Sequence, residues 1–251
     1  MTAAAPSINN TPPMQRPRRQ WGRALKALHR LFQDKEDTAQ VFEIMRSLNG
    51  GATPKGYLRL LRTPGGGRLA YERVELADKL MDRAWLDSLA PGTVGAAYRD
   101  FVLGEGLSAE GLVEESRKGI QEGAIDARHP FAWYGRRIRD THDVWHVLTG
   151  YGCDSLGELC LVAFSYSQTK GLGWAVIGIG GMLRAARRGG SPYRRAVVEG
   201  FRRGKRAAWL PAEDYEALLA EPLESARRRL GITAPAAYEA IPPELRNPLA
   251  A

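Results

Sequence analysis

Apolar residues recur along most of this chain at the three- and four-residue spacing of a helix face. Trp21, Leu25, Leu28 and Phe32 make one stripe, opposite Arg23, Lys26 and Arg30. Val41, Ile44, Met45 and Leu48 make a second, which ends at Asn49-Gly50-Gly51, as helices commonly end at glycine. The spacing predicts a helical run over 69–89 stopped by Pro91-Gly92, and another opening at Thr93-Val94-Gly95-Ala96-Ala97-Tyr98, whose small residues allow close packing. A short helix is expected over 108–122, with Ser108 as its N-cap. Later helices are expected around His142–Thr149, after Ser191-Pro192, and over 211–230, acidic early and arginine-rich late as the macrodipole favours. No run alternates apolar and polar residues in the strand period, and no segment repeats. The expected fold is all-α: one helical domain over 21–235, between an N-terminal tail, 1–20, and a C-terminal tail, 236–251.

Two stretches depart from the amphipathic pattern. Thr63-Pro64-Gly65-Gly66-Gly67 reads as a turn or mobile loop, and no Lys-Ser/Thr follows to make its glycines a phosphate cradle. The segment Leu159–Leu183 is strongly apolar but broken by Gln168 and Lys170. Its uncharged part, 171–183, is shorter than the roughly 20 residues a membrane span requires. It is expected as buried helix, loop or the lining of a greasy groove.

Composition adds a partner class. At 251 residues, 44% hydrophobic and 25% charged, the chain is an ordinary globular protein with ample core. Its net charge of +8 calls for an acidic partner, nucleic acid or anionic lipid. Residues 184–206 hold nine Lys/Arg against Glu199, a net of +8 that equals the whole chain's. Two cysteines, Cys153 and Cys160, make no disulfide framework, and a reducing compartment is the simpler reading. The first thirty residues lack the apolar core of a secretory signal. They also lack acids, as mitochondrial transit peptides do, but their prolines read better as a flexible tail before a basic helix. That helix suits either an anionic membrane surface or packing on the body.

The chemistry concentrates at Arg139-Asp140-Thr141-His142-Asp143-Val144-Trp145-His146. Histidines four apart share one helix face, with Cβ atoms roughly 5–6 Å apart. At ~100° per residue, His146 falls between His142 and Asp143 in projection, so all three share one arc. Thr149-Gly150 ends the helix, Tyr151-Gly152-Cys153-Asp154 makes a short turn, and the next helix carries Glu158 in its first turn. Helices joined so closely run antiparallel, which returns Glu158 towards His146. Two imidazoles with one or two carboxylates suit zinc, with iron or manganese as alternatives. Other readings compete. Ser155-x-x-Glu158 is a capping box, Asp143 can pair with Arg139, and the histidines can be satisfied core residues. Zinc peptidases place Glu between their histidines, where this chain has the shorter Asp143. A metal phosphohydrolase would want a further upstream histidine, for which His129 is the nearby candidate.

Taken together, these segments resemble the coenzyme Q biosynthesis protein 4 family. That family's signature, His-Asp-x-x-His, eleven residues, then Glu, stands here as His142, Asp143, His146 and Glu158. Arg137-Ile138-Arg139-Asp140, Val147-Leu148-Thr149-Gly150, Gly157, Gln168-Thr169, Gly92-Thr93-Val94-Gly95 with Tyr98, and Arg229-Leu230-Gly231-Ile232 fit as well, so the likeness covers about 35–235. It departs at Gly171-Leu172-Gly173 and in the arginine-rich 184–206 region.

The resemblance implies an all-α, membrane-associated zinc protein of ubiquinone biosynthesis, with His142, Asp143, His146 and Glu158 as metal ligands. The implied reaction removes the ring carboxylate of a polyprenylated 4-hydroxybenzoate, with or without oxygen. The alternative is a non-catalytic lipid-binding scaffold for the other ubiquinone enzymes. Arg139 is the candidate to hold the substrate carboxylate or to support the ligands. Leu159–Leu183 would line the prenyl channel and Arg184–Arg206 would face lipid headgroups. Expected partners are therefore the prenylated precursor, an anionic membrane, the other pathway enzymes and a second copy of the chain, but no nucleic acid. The expected location is the cytoplasmic face of a bacterial inner membrane, with the mitochondrial inner membrane, matrix side, as the alternative.

Overall fold

The computed structural model describes residues 19–34, 37–104 and 129–247. The 1–18 part of the expected tail and the helix expected over 108–122 lie outside them. Among the described residues the chain is all-α, with one isolated bridge, Thr93 to Pro222, and no strand. No described helix is long and apolar enough to cross a membrane.

Seven helices precede residue 105: α1 (Trp21–Gln33), α2 (Thr38–Leu48), α3 (Ala52–Leu60), α4 (Gly66–Glu72), α5 (Leu76–Met81), α6 (Arg83–Ser88) and α7 (Val94–Gly104). Then come α8 (Pro130–Asp140), α9 (His142–Thr149), α10 (Ser155–Thr169), α11 (Leu172–Gly189) and α12 (Ser191–Arg206). Three short helices close the fold: α13 (Tyr215–Ala220), α14 (Leu223–Leu230) and α15 (Ala236–Glu239).

Helix α10 is the axle. Leu156, Cys160, Leu161 and Phe164 on it are fully buried in the main core, alongside Val144 and Leu148 of α9 and Ala196 and Val197 of α12. Two glycines explain how close α12 lies. A Cβ on Gly200 would sit 2.5 Å from the Cys160 carbonyl oxygen, and one on Gly204 2.7 Å from that of Phe164. Four apart on one face, they let α12 rest directly on the α10 backbone. The glycines of α11 do the same against side chains, Gly181 against Leu159 and Gly180 against Phe32 of α1. The stretch expected to line a groove is therefore mostly packed core.

Four other expectations change. Helix α1 packs on the body through Ala24, Ala27 and Leu31 and only the second half of the predicted stripe: Leu28 and Phe32 meet Gly180 of α11, while Trp21 and Leu25 remain exposed. The single run expected over 69–89 is three helices, because Arg73 turns left-handed (φ 47°) after α4 and the Asp82 carboxylate caps α6 by accepting from Trp85 N at 2.9 Å. The glycine loop begins a helix instead of staying open: a Cβ on Gly66 would lie 1.8 Å from Leu60 O, so glycine alone lets α4 fold back on α3.

The expected C-terminal tail is folded as far as Asn247. Tyr238 and Ile241, three apart, enter the main core. Arg246 O accepts from Leu156 N at 2.9 Å and Asn247 Oδ1 from Ser155 N at 3.0 Å. This segment therefore ties down the start of α10, where Glu158 sits.

Candidate metal centre

His142 opens α9 and His146 follows one turn later; Glu158 lies in the first turn of α10. The two Nε2 atoms are 3.3 Å apart. Glu158 reaches both, Oε2 to His142 Nε2 at 3.5 Å and Oε1 to His146 Nε2 at 3.2 Å. One ligand atom from each residue lies within 4.8 Å of the others, the one such group of three among the described residues.

Local structure frees each side chain for this. The capping box does not form: Asp154 caps α10, its Oδ1 accepting from Leu156 N at 3.1 Å and Gly157 N at 2.9 Å. The Ser155 hydroxyl turns to Asn247, so Glu158 is not drawn back to the helix end. His146, 2% exposed, has Nδ1 3.0 Å from the Tyr151 carbonyl oxygen. A carbonyl only accepts, so Nδ1 carries a hydrogen and it is Nε2 that faces His142 and Glu158. The end of α9 is held by arginines: Arg227 donates to Leu148 O at 3.0 Å and Val147 O at 2.8 Å, and buried Arg203 to Thr149 O at 2.7 Å and to Thr233 O. Cations at a helix C-terminus satisfy its carbonyls and oppose its dipole. Arg203 was expected among the headgroup-facing arginines; the structure places it inside, holding the histidine helix.

Aromatic rings flank both imidazoles. Trp174 of α11 lies parallel to His142 with centroids 6.1 Å apart, and Phe101 of α7 stacks on His146 at 5.4 Å. Spacing in the sequence gave no signal for either, because both come from other helices.

The three groups hold charge between them. Burial pushes the Glu158 carboxyl up, but its hydrogen bonds and proximity to His142 and His146 outweigh that and hold it well below the usual carboxylate range. Burial lowers the His142 pKa, yet the Glu158 hydrogen bond and charge, with Asp143 adding, raise it on balance. The cluster thus favours a positive charge among two imidazole nitrogens and a carboxylate. Two nitrogens and one oxygen are the donor set of a catalytic zinc site with three protein ligands, and they fit that ion.

Not every predicted residue joins them. Asp143 is buried but outside the triad. It stands ~60° beyond His146 on the helix wheel, with a side chain one carbon shorter than Glu. Arg139 is engaged by its neighbour Asp140, through Nε at 2.7 Å and Nη2 at 2.6 Å. Asp140 itself is largely buried with Oδ2 unpartnered, and burial raises its pKa against the pull of Arg139. His129 caps α8, accepting from Phe131 N at 3.2 Å, and is not part of the triad. Burial drives the Cys160 thiol well above the usual thiol range, as suits a core residue.

With this geometry in view, comparison with known proteins is decisive. Residues 55–236 match the family described as coenzyme Q (ubiquinone) biosynthesis protein Coq4. The chain belongs to the Coq4 family. The triad and Asp143 all fall inside the matched span. Among similar proteins, the mitochondrial ubiquinone biosynthesis protein COQ4 of Podospora anserina is 29% identical over 180 residues, 70% of this chain and 56% of that one. Its namesake in Yarrowia lipolytica is 29% identical over 197 residues, 74% of this chain and 71% of that one. The mitochondrial coq-4 protein of Neurospora crassa is 33% identical over 122 residues, 47% of this chain and 33% of that one. The chain thus spans between a third and about seven-tenths of these relatives. A crystal structure described as a candidate ubiquinone biosynthesis protein of Nostoc punctiforme superposes with a TM-score of 0.58 at 20% identity, covering 86% of this chain and 99% of that one. At that identity it supports the shared fold. Helices α7, α9, α10 and α11, which carry the triad and the rings that flank it, all lie inside the matched span.

Proposed function

We propose that this Coq4-family chain acts in ubiquinone biosynthesis as a zinc-dependent enzyme that removes the C1 carboxylate from a polyprenylated 4-hydroxybenzoate. One observation carries the reading. Two imidazole Nε2 atoms and a carboxylate converge, with His146 Nδ1 taken up by Tyr151 O. His142, His146 and Glu158 would hold the zinc ion, which when bound would supply Lewis acidity to a substrate oxygen. The chain's own residues set the rest. Tyr151 and the arginine-clamped end of α9 orient His146, and Asp154 with Asn247 fixes the helix that carries Glu158. Phe101 and Trp174 wall the two imidazoles with apolar surface on one side each. Arg139, tied to Asp140, supports the motif helix in this reading.

A peripheral membrane position, on the inner face of a bacterial or mitochondrial inner membrane, accompanies the proposal. The mitochondrial names of the relatives support the second site, and two features support the surface itself. Trp21 and Leu25 of α1 and Ile179 and Leu183 of α11 are exposed apolar residues on helices that touch, and Arg23, Lys26 and Arg30 lie on α1 beside them. Product analysis decides the chemistry. Purified zinc-loaded chain is given a synthetic prenylated hydroxybenzoate, with and without oxygen. Release of its carboxyl carbon as carbon dioxide, lost on chelation, is expected. Tight precursor binding without turnover would instead establish a lipid-binding scaffold.

A further inference from the structure

Away from the triad, at the other end of α10, a cleft of about 210 Å³ opens between α3, the junction of α10 and α11, and Trp209. Glu158 and Gln168 are ten residues apart on that helix, which separates the two places by about 15 Å at 1.5 Å per residue. Four cations line the cleft and no acid does: Arg19, Lys55, Arg59 and Lys170. They arrive from three parts of the chain, the approach to α1, one face of α3 and the C-cap of α10. None of the four pairs with a carboxylate among the described residues.

Solvated surface lysines and arginines are ordinary, but these are placed. The Arg59 guanidinium lies 4.1 Å from the centroid of the Trp209 ring, which fixes its plane over the cleft. Lys170 stands in the left-handed backbone region (φ 58°), which costs a non-glycine residue strain. Its Nζ lies 5.8 Å from the Tyr166 ring centroid. Burial first, then Lys205 and Arg59, lower its affinity for a proton. Like charges are gathered here at an electrostatic cost that a bound anion relieves. Gly51 and Ala52, at the start of α3, also line the cleft; the Ala52 N–H is taken by Asn49 O at 2.7 Å and Pro54 has none, so the end of this nine-residue helix contributes the sign of its dipole more than free donors. The volume is roughly seven times the ~30 Å³ share of one water, room for a diphosphate with its hydration.

We propose that this cleft is a binding site for a phosphate-class oxyanion, a phosphomonoester or diphosphate, carried either by a soluble molecule or by a lipid headgroup. Four cations around so small a volume match a dianion or higher, and Arg59 offers the planar fork that phosphate oxygens accept from.

Calorimetric titration of the full chain with pyrophosphate tests the soluble source. Flotation with vesicles containing phosphatidic acid, against vesicles of equal charge made with phosphatidylglycerol, tests the headgroup. The variant is Arg59→Gln with Lys170→Gly, the glycine being native to that backbone conformation, so folding is preserved and a melting curve verifies it. Binding of pyrophosphate weakened at least ~10-fold in the variant and by added salt is the expected result for a soluble ligand. Preference for phosphatidic acid that the variant loses is the expected result for a headgroup. No pyrophosphate binding together with no preference between the two lipids overturns the proposal, as does binding that the double variant leaves unchanged. The readout uses no metal and no quinone precursor, so its failure leaves the decarboxylase reading standing.

Discussion

The two ends of α10 carry one polar side chain each that matters, and they are finished differently. At the far end Gln168, 4% exposed, has every hydrogen-bonding position matched to backbone. Its Nε2 donates to Gly204 O at 2.7 Å and Ala208 O at 3.1 Å, and its Oε1 accepts from Leu210 N at 2.9 Å. At the near end Glu158 meets only His142 and His146, which meet it and each other. A buried amide whose partners are all main chain is structural; it pins α12 and the Trp209–Leu210 turn to α10. Three titratable groups that turn Nε2, Nε2 and a carboxylate on one another, with only His146 Nδ1 spent on a main-chain carbonyl, are arranged for something that binds among them.

The largest effect should come from breaking the near end. His146→Ala removes a ligand and the Tyr151 anchor together, and zinc retention after dialysis is expected to fall at least ~100-fold, beyond the 10–100-fold of a lost supporting contact. The melting temperature should move far less. A variant that keeps stoichiometric zinc, measured by atomic emission, would sink the assignment and the proposed reaction with it.

Next in size is the far end. Gln168→Leu leaves the Leu210 N–H and two carbonyls buried without partners, each at ~1–3 kcal/mol. We expect a loss of ~3 kcal/mol in a urea melt, roughly 150-fold in the folding equilibrium, with zinc content unchanged. If Gln168→Leu loses zinc while Glu158→Ala loses stability, the contrast between the two ends is backwards.

These residues also mark what the sequence could tell. The helical spacing of His142 and His146 and the first-turn position of Glu158 were legible because a helix turns a spacing into a direction. The capping-box alternative needed coordinates: both Asp154 and Ser155 are good N-caps, and only the tie from Ser155 to Asn247, 92 positions away, selects Asp154. Long-range partners were illegible for the same reason. Nothing in a list of nine basic residues separates Arg203, buried under Tyr151, from exposed Arg202 beside it. Half of the stripe on α1, Trp21 and Leu25, was misassigned because alanines make a buried face as readily as larger residues where helices approach closely, and hydrophobic pattern weighs them too lightly. The all-α class was read correctly among the described residues; breaks at Arg73 and Asp82 were not, since neither residue is a strong breaker.

A smaller effect distinguishes ligand from neighbour. The family pattern makes Asp143 a ligand, whereas here it lies outside the triad. Asp143→Asn keeps size and removes charge. If Asp143 acts only by raising the affinity of His142 for positive charge, zinc binding should weaken ~10-fold or less. A loss equal to that of His146→Ala would make it a direct ligand and show that the side chain swings inward when metal binds.

The subtlest test is pH, because both shifts at the near end leave a signature without metal. His142 has its pKa raised in the folded chain. Such a group contributes stability that is complete below its unfolded value, about 6.5, and that is lost as pH rises through the folded value. Glu158 is lowered, so its contribution is present above the unfolded carboxylate value and is lost only as pH falls through the depressed one. Metal-free chain should therefore lose thermal stability as pH rises above about 6.5, while Glu158→Gln, with the partner charge gone, should show a shallower slope over the same rise. Zinc should flatten the slope in the parent alone, since a bound cation takes the place of the His142 proton. Gln168→Leu, whose lost partners are all main chain, should run parallel to the parent at lower temperature. Equal slopes in the parent and Glu158→Gln would mean that the two histidines and the carboxylate do not share charge in solution, and the contrast between the ends of α10 would reduce to one of packing.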